Sequence, residues 1–129
     1  MNPPMTDSKI DPTQRILMWL CAEARIQAEG SREAIAEITA RDGINLDSKS
    51  SLSKWERGQR WLNGARPIIA AYAGMAGKTP ADLWDEAVRL TPLPGSGDGL
   101  LDQAASLDDV AQRLQELREL VKQTRARRK

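Results

Sequence analysis

The segment LSKWERG, residues 52–58, is the most informative stretch of this 129-residue chain. Leu52 and Trp55 are three positions apart, so that on a helix both side chains lie on one face. The other side chains are short and polar or charged, and Gly58 is a residue type that commonly ends a helix. The segment therefore predicts a short helix that is anchored from one side by two large apolar residues and is polar elsewhere.

Capping signals and helical periodicity predict further helices on both sides of this segment. Asp11, Pro12 and Gln14 supply an N-cap, a first-turn proline and a capping-box residue. Thr79 and Pro80 repeat that pattern later in the chain. Apolar residues at spacings of three and four follow each signal. The predicted helices are residues 12–29, 32–42, 48–57, 65–76, a fifth that begins at 80, and a last one from 106 to about 126.

The periodic positions also predict which side chains form the core. We expect the first helix to bury a single face, and Gly30 to end that helix. We expect both Trp55 and Trp84 to be core residues. The inward positions are Ile16, Leu17, Leu20, Cys21, Ala24 and Ala28 on the first helix, and Leu83, Trp84, Ala87 and Val88 on the fifth.

The chain divides into four parts on composition and patterning. Residues 1–10 lack periodicity and predict a flexible arm, 11–90 hold the five short helices of an all-α domain, and 91–105 contain the linker-like string TPLPGSGDG. Residues 106–129 predict an amphipathic helix with a basic tail. Its apolar positions alternate spacings of three and four, as in a coiled coil: Leu107, Val110, Leu114, Leu117 and Val121. Two arrangements fit this pattern, a dimerisation seam between two chains, which we favour, and a helix that packs back on its own domain.

Composition argues against whole classes of function. The chain has no His, which removes the most frequent general base and metal ligand near neutral pH. Cys21 is its only cysteine, which excludes an intramolecular disulfide and a cysteine-rich zinc site, and the apolar stretch around Cys21 indicates a core position. We therefore expect no enzymatic activity, metal, cofactor or small-molecule ligand. No apolar run reaches the roughly 20 residues that cross a bilayer, so that we expect a cytoplasmic protein with no membrane contact.

The positive charge of residues 1–90 is concentrated around the LSKWERG segment. The net charge of the whole chain is only +1, and residues 1–90 hold twelve basic and twelve acidic residues. Residues 44–66, in contrast, hold five basic and two acidic residues, a balance of +3. Such an uneven distribution is typical of a domain that binds a polyanion through one surface.

LSKWERG closely resembles the end of the recognition helix in the phage-repressor-like helix-turn-helix family, which includes lambda repressor and Cro and the xenobiotic-response-element type. The resemblance extends upstream over residues 31–36 and covers residues 12–90 on motif grounds. One departure is the distance from Ile35 to Trp55, twenty positions, about six more than is usual in the family, which predicts an enlarged turn over residues 40–47. Downstream, the matching positions are Ala70, Tyr72, Ala73, Gly77, Thr79 and Leu83.

The resemblance implies a five-helix helix-turn-helix domain that binds double-stranded DNA as a dimer, in a sequence-specific regulator that is more often a repressor than an activator. A phage or prophage immunity repressor and a bacterial regulator both fit. On this interpretation, the residues facing base edges are Lys49, Ser50, Ser53 and Lys54. The residues near phosphates are Arg32, Arg57, Gln59, Arg60 and Arg66.

Glu56 has neither a His nor a second carboxylate beside it, so that we expect it to orient Arg57 or another basic side chain. Three other interpretations stay open. The first is an antitoxin-like interaction protein whose C-terminal helix binds a partner protein, with DNA binding for autoregulation. The second is a nucleoid-type protein with little sequence preference, and the third is a purely structural helix end at LSKWERG.

Overall fold

A computed structural model of the chain describes residues 10–41, 43, 49–62, 65–92, 100–102 and 104–127, with the backbone alone for residues 49, 50 and 124–127. Residues 1–9 of the predicted arm, most of the enlarged turn and most of the TPLPGSGDG string lie outside these residues. The described part is all-helical, as predicted, and the predicted bounds are shifted by only a residue or two. The helices are α1 Pro12–Gln27, α2 Arg32–Arg41, α3 Lys49–Glu56, α4 Ala65–Met75, α5 Pro80–Leu90 and α6 Leu107–Arg127.

Two capping boxes begin α1 and α5, as the sequence predicts. The Asp11 carboxylate accepts from the Gln14 backbone N–H at 2.8 Å, and the Gln14 side chain accepts from the Asp11 N–H at 3.1 Å. Thr79 and Asp82 form the same reciprocal pair at 3.2 and 2.9 Å. Each box satisfies two backbone donors that a helix start otherwise leaves without partners. The first residues of both helices are therefore determined by local sequence.

α1 ends two residues earlier than predicted, at Gln27. Glu29, not Gly30, adopts the left-handed conformation, with φ 56°. A Cβ atom at Gly30 would overlap the flexible side chain of Met75 at the end of α4, which would have to move. The glycine therefore permits the close approach of two helix ends rather than an unusual backbone angle.

α1 is the central helix, and its middle, residues 16–22, is buried on all sides rather than on the single face predicted. It packs against α3, α4, α5 and α6. Met18, Trp19 and Ala22, which lie off the predicted face, are completely buried, whereas Ala28 at the end of that face is exposed. A helix surrounded by neighbours has no solvent face, so that its apolar residues do not follow a single stripe.

α5 buries a narrower stripe than its apolar residues suggest. Leu83, Ala87 and Leu90 are buried, whereas Trp84 is 36% exposed and Val88 is 61% exposed. The prediction that Trp84 and Val88 face the core was therefore wrong. Both residues follow a buried one directly, and one step along a helix turns a side chain away from the contact with α1 and α4.

α6 packs back on its own domain, the second of the two arrangements considered above. Val110, Leu114 and Leu117 belong to the same apolar core as the other helices, with exposures of 2%, 0% and 0%, and Leu107 and Val121 pack against it. The expectation that these five side chains form a dimerisation seam is therefore corrected, because they pack against the core of their own chain.

Two ion pairs hold α6 in place across its neighbours. Arg118 donates to Glu23 on α1 and to Glu86 on α5, each at 2.7 Å. The hydrogen bonds to Glu23, which contribute most, and the one to Glu86 raise the pKa of Arg118 above its usual value. The cation joins three helices at a partly exposed site.

Candidate nucleic-acid interface

The inner side of α3 is anchored by the two residues that the sequence predicts. Leu52 is 1% exposed and Trp55 is completely buried. The Trp55 ring lies against Trp61, with 4.9 Å between ring centroids, and Trp61 in turn lies 6.5 Å from Trp84. α3 contacts both α1 and α2. A helix of only eight residues is marginally stable by itself, so that α3 depends on the packing of its inner side against the core.

Glu56 lies on the same inner side and is completely buried in a polar cluster. Its carboxylate accepts from Arg25 twice, with Nε to Oε2 at 2.6 Å and Nη2 to Oε1 at 2.8 Å. Arg32 Nε donates to Oε1 at 3.2 Å, and the Tyr72 hydroxyl donates to Oε2 at 2.8 Å. The expectation that Glu56 orients a basic side chain is confirmed, and the partners are Arg25 and Arg32 rather than Arg57.

This arrangement, which we call the Glu56 cluster (Arg25, Arg32, Glu56 and Tyr72), joins α1, α2, α3 and α4 through one carboxylate. Burial raises the pKa of the Tyr72 phenol well above its ordinary value, and the Glu56 charge raises it further. The hydrogen bond to Glu56 also raises the pKa of Arg25. Tyr72 therefore remains a neutral donor and Arg25 a cation at physiological pH.

Cys21 lies close to this cluster and is a core residue. Its side chain is completely buried, and burial raises the pKa of its thiol to about 12. A thiol that stays protonated and covered is a poor nucleophile. The interpretation of Cys21 as part of the core is confirmed.

α3 ends in a Schellman motif at Gly58. The Gly58 N–H donates to Trp55 O at 3.0 Å, and the Gln59 N–H donates to Lys54 O at 2.9 Å. Gly58 has φ 75°, and a Cβ atom there would lie 2.7 Å from Trp19 Nε1. Both the backbone angle and the space at this position thus require glycine.

The outer side of α3 presents polar and cationic side chains. Lys54 is exposed and Ser53 is partly exposed, and Arg60 and Arg66 beyond the helix are also exposed. The side chains of Lys49 and Ser50, which we expect to face base edges, lie outside the described side chains.

Three of the predicted phosphate-contacting residues are engaged within the chain. Arg32 is part of the Glu56 cluster with its side chain 29% exposed, and Arg57 Nε donates to Ser53 O at 3.3 Å. The Gln59 side chain donates to Ala104 O at 3.3 Å. Arg60 and Arg66 are thus the best-placed candidates for phosphate contacts.

Electrostatics distinguish the two sides of α3. Glu56 is the only acidic residue in the sequence from 49 to 66, and it is buried and paired. Lys54, Arg60 and Arg66 in the same stretch are exposed. The exposed charges of the described residues in this stretch are therefore all positive.

Sequence reasoning did not identify Arg15, Arg25 and Tyr72 as functional partners of α3. Arg15 Nε donates to Gly58 O at 3.0 Å, across 43 positions of sequence. The signal available was indirect: a carboxylate beside a core tryptophan needs cationic and hydroxyl partners if it is buried. Which of the distant arginines and hydroxyl groups supply them depends on how the helices pack.

Within the described residues, no group of three or more Asp, Glu or Cys side chains is arranged to hold a metal ion. The helices described there also lack the combined length and apolar character that a membrane span requires. A comparison of the chain with models of protein families, with curated proteins and with solved structures gives no match. What the chain does must therefore be inferred from its own residues.

Proposed function

We propose that the chain is a sequence-specific double-stranded-DNA-binding transcriptional regulator of the helix-turn-helix type, acting as a repressor. The observation that carries the proposal is the outer side of α3: Lys54 is exposed and Ser53 partly exposed on a short helix whose opposite side is sealed in the core. Arg60 and Arg66, which follow α3 in the sequence, are exposed cations as well. A helix that carries hydrogen-bond donors on its outer side and is anchored in the core on its inner side suits entry into a DNA major groove about 12 Å wide.

The two parts of this surface have different tasks in the proposal. Ser53 and Lys54 read base edges, together with Lys49 and Ser50, because hydroxyl and ammonium groups donate to the acceptors on guanine and thymine. Arg60 and Arg66 bind phosphates, which position the protein without reading sequence. Repression follows from occupancy, since a protein seated in the groove blocks other proteins from the same DNA.

A second copy of the chain on a two-fold operator also remains a prediction. The coiled-coil seam is not its basis, because the apolar side chains of α6 are buried in the core of their own chain. The same burial leaves an antitoxin-like partner without those side chains of α6 to bind. The length of the protected DNA tests the dimer, since two half-sites lie about 10 base pairs apart, centre to centre, or a multiple of that distance.

Selection from a pool of random duplexes, followed by binding measurements on the selected and a scrambled sequence over a salt series, tests the proposal. We expect the selected duplex to bind at least about 10³-fold more tightly than the scrambled one. We also expect the affinity for both to fall linearly with salt on logarithmic axes. Equal affinity for every duplex would instead identify a nucleoid-type binder, and an absence of binding at low salt would refute the proposal.

A further inference from the structure

The backbone carbonyls that follow α3 are held by groups from outside the helix. Arg57 O accepts from the Trp19 indole N–H at 3.1 Å and from the Ala104 N–H at 3.0 Å. Gly58 O accepts from Arg15 Nε at 3.0 Å. The end of α3 is thus tied to α1 and to the segment that precedes α6.

That segment, residues 100–102 and 104, which we call the clasp, is bonded to the end of α3 and to α1. Arg15 Nη1 donates to Leu101 O at 2.7 Å, so that one guanidinium bridges the clasp and Gly58. The Gln59 side chain donates to Ala104 O at 3.3 Å, and the Ala104 N–H donates in turn to Arg57 O, so that both backbone groups of Ala104 are bonded to the end of α3. Ala104 is completely buried. The clasp therefore packs as part of the domain.

α6 holds the clasp from its other side. Arg113 on α6 donates to Leu100 O at 3.2 Å and to Asp102 O, and its guanidinium lies 5.8 Å from the Trp19 ring centroid. α6 is itself fixed by the buried Leu114 and by the ion pairs of Arg118. An uninterrupted set of contacts thus runs from α6 through the clasp to the end of α3.

We infer that Arg15 and the clasp are positioning elements of the DNA-reading surface, and that α6 belongs to the same DNA-binding unit rather than to a separate dimerisation module. The inference rests on the proposed function. Side chains that read base edges must be held within about 0.5 Å of the productive geometry. α3 has eight residues, and its buried described side chains lie on one side, so that the external hydrogen bonds at its end fix its angle and register.

Arg15→Met is the sharpest test, because methionine keeps an apolar stem of similar length and removes every guanidinium donor. Arg89→Met is the matched control, since it removes the same charge from an exposed position on α5. The first readout, amide hydrogen exchange of Gly58 and Gln59, requires no DNA. We expect exchange at these amides to be at least about tenfold faster in Arg15→Met and unchanged in Arg89→Met, because Arg15→Met removes the hydrogen bonds to Gly58 O and Leu101 O.

The second readout is the ratio of affinities for the selected and scrambled duplexes, measured at a temperature at which each variant is fully folded. We expect Arg15→Met to lower this ratio by about tenfold. A role in stability alone would lower the melting temperature and leave the ratio of the folded protein unchanged. If Arg15→Met does not fold, Arg15→Lys replaces it, because a lysine keeps the charge and supplies one donor centre that cannot bridge both carbonyls.

Two outcomes overturn the inference. One is unchanged amide exchange at Gly58 and Gln59, which would show that the clasp does not hold the end of α3. The other is faster exchange with an unchanged affinity ratio, which would show that the contact does not position the reading surface while leaving the proposed function intact. Failure of the unaltered protein to bind any duplex would refute the proposed function and the inference with it, and the exchange data would still report the clasp contact.

Discussion

Glu56 and Lys54 lie two residues apart on α3, yet their charges are in opposite environments. Glu56 is completely buried and held by Arg25, Arg32 and Tyr72. Lys54 is exposed, and its helix faces solvent on that side. The inner side of α3 thus uses charge to join four helices, whereas the outer side leaves charge accessible to a ligand.

This difference separates stability from binding within one short helix. Removing a charge from the inner side leaves buried partners without a counter-charge, which is costly. Removing one from the outer side exposes no buried group and has little effect on folding. Substitutions on the two sides should therefore change different measured quantities, which makes the comparison testable.

The largest effect is expected on the inner side. Glu56→Gln keeps the side-chain volume but leaves Arg25 and Arg32 without their counter-charge, and should lower the free energy of unfolding by about 3 kcal/mol. Urea unfolding followed by circular dichroism measures this. Glu37→Gln on the exposed surface of α2 is the control and should change stability by less than about 0.5 kcal/mol. A loss for Glu56→Gln no larger than the control's would show that the Glu56 cluster does not hold the fold.

On the outer side, Lys54→Ala should leave stability within about 0.5 kcal/mol and reduce discrimination between the selected and scrambled duplexes by about 1–3 kcal/mol. The physical reason is the loss of a donor to a base edge, which the scrambled duplex does not use in the same way. Competition binding with both duplexes measures the difference. Parallel losses on both duplexes would assign Lys54 to phosphate contact instead.

Gly58→Ala tests the point at which the two sides meet. The left-handed angle of Gly58 costs an alanine about 1–2 kcal/mol, and the new methyl group would meet the Trp19 indole. We expect a comparable loss of stability in thermal or urea unfolding. Gly74→Ala is the matched control, because a Cβ there meets nothing within 4 Å and its φ is not positive. Equal stability of the two variants would mean that an alanine at position 58 is accommodated without strain, contrary to this expectation.

The smallest effect is expected from Arg60→Ala, beyond the helix. It should weaken binding to selected and scrambled duplexes alike and reduce the slope of log affinity against log salt by about one. Titrations at four or more salt concentrations give that slope. A change confined to the selected duplex would place Arg60 at a base edge rather than at a phosphate.

The sequence predicts the helices well because their signals are local. The capping boxes at Asp11 and Thr79 lie within three residues of their partners, and the spacing and apolar character of Leu52 and Trp55 place both on one buried face. Such features depend on neighbours in sequence, which sequence patterns report directly. The burial of Trp84 was wrongly predicted because apolar character does not show which neighbours cover a helix face.

The arrangement of the helices depends on contacts that no local pattern contains. The seam of α6 is apolar whether it meets another chain or α1, so that Leu114 and Leu117 alone could not decide between them. Likewise, the bond from Arg15 to Gly58 spans 43 positions. Gln59 was assigned to phosphate because it is polar and adjacent to α3, whereas its amide donates to Ala104.

Chemical-shift mapping of the ¹⁵N-labelled protein with the selected duplex tests most directly whether the outer side of α3 is the DNA-binding surface. The account predicts that the largest shift changes fall on the amides of Ser53, Lys54 and Arg60. Amides on the α6 face that packs against α1, such as those of Leu114 and Leu117, should change little. Changes concentrated on α5 or α6, with α3 unaffected, would contradict it.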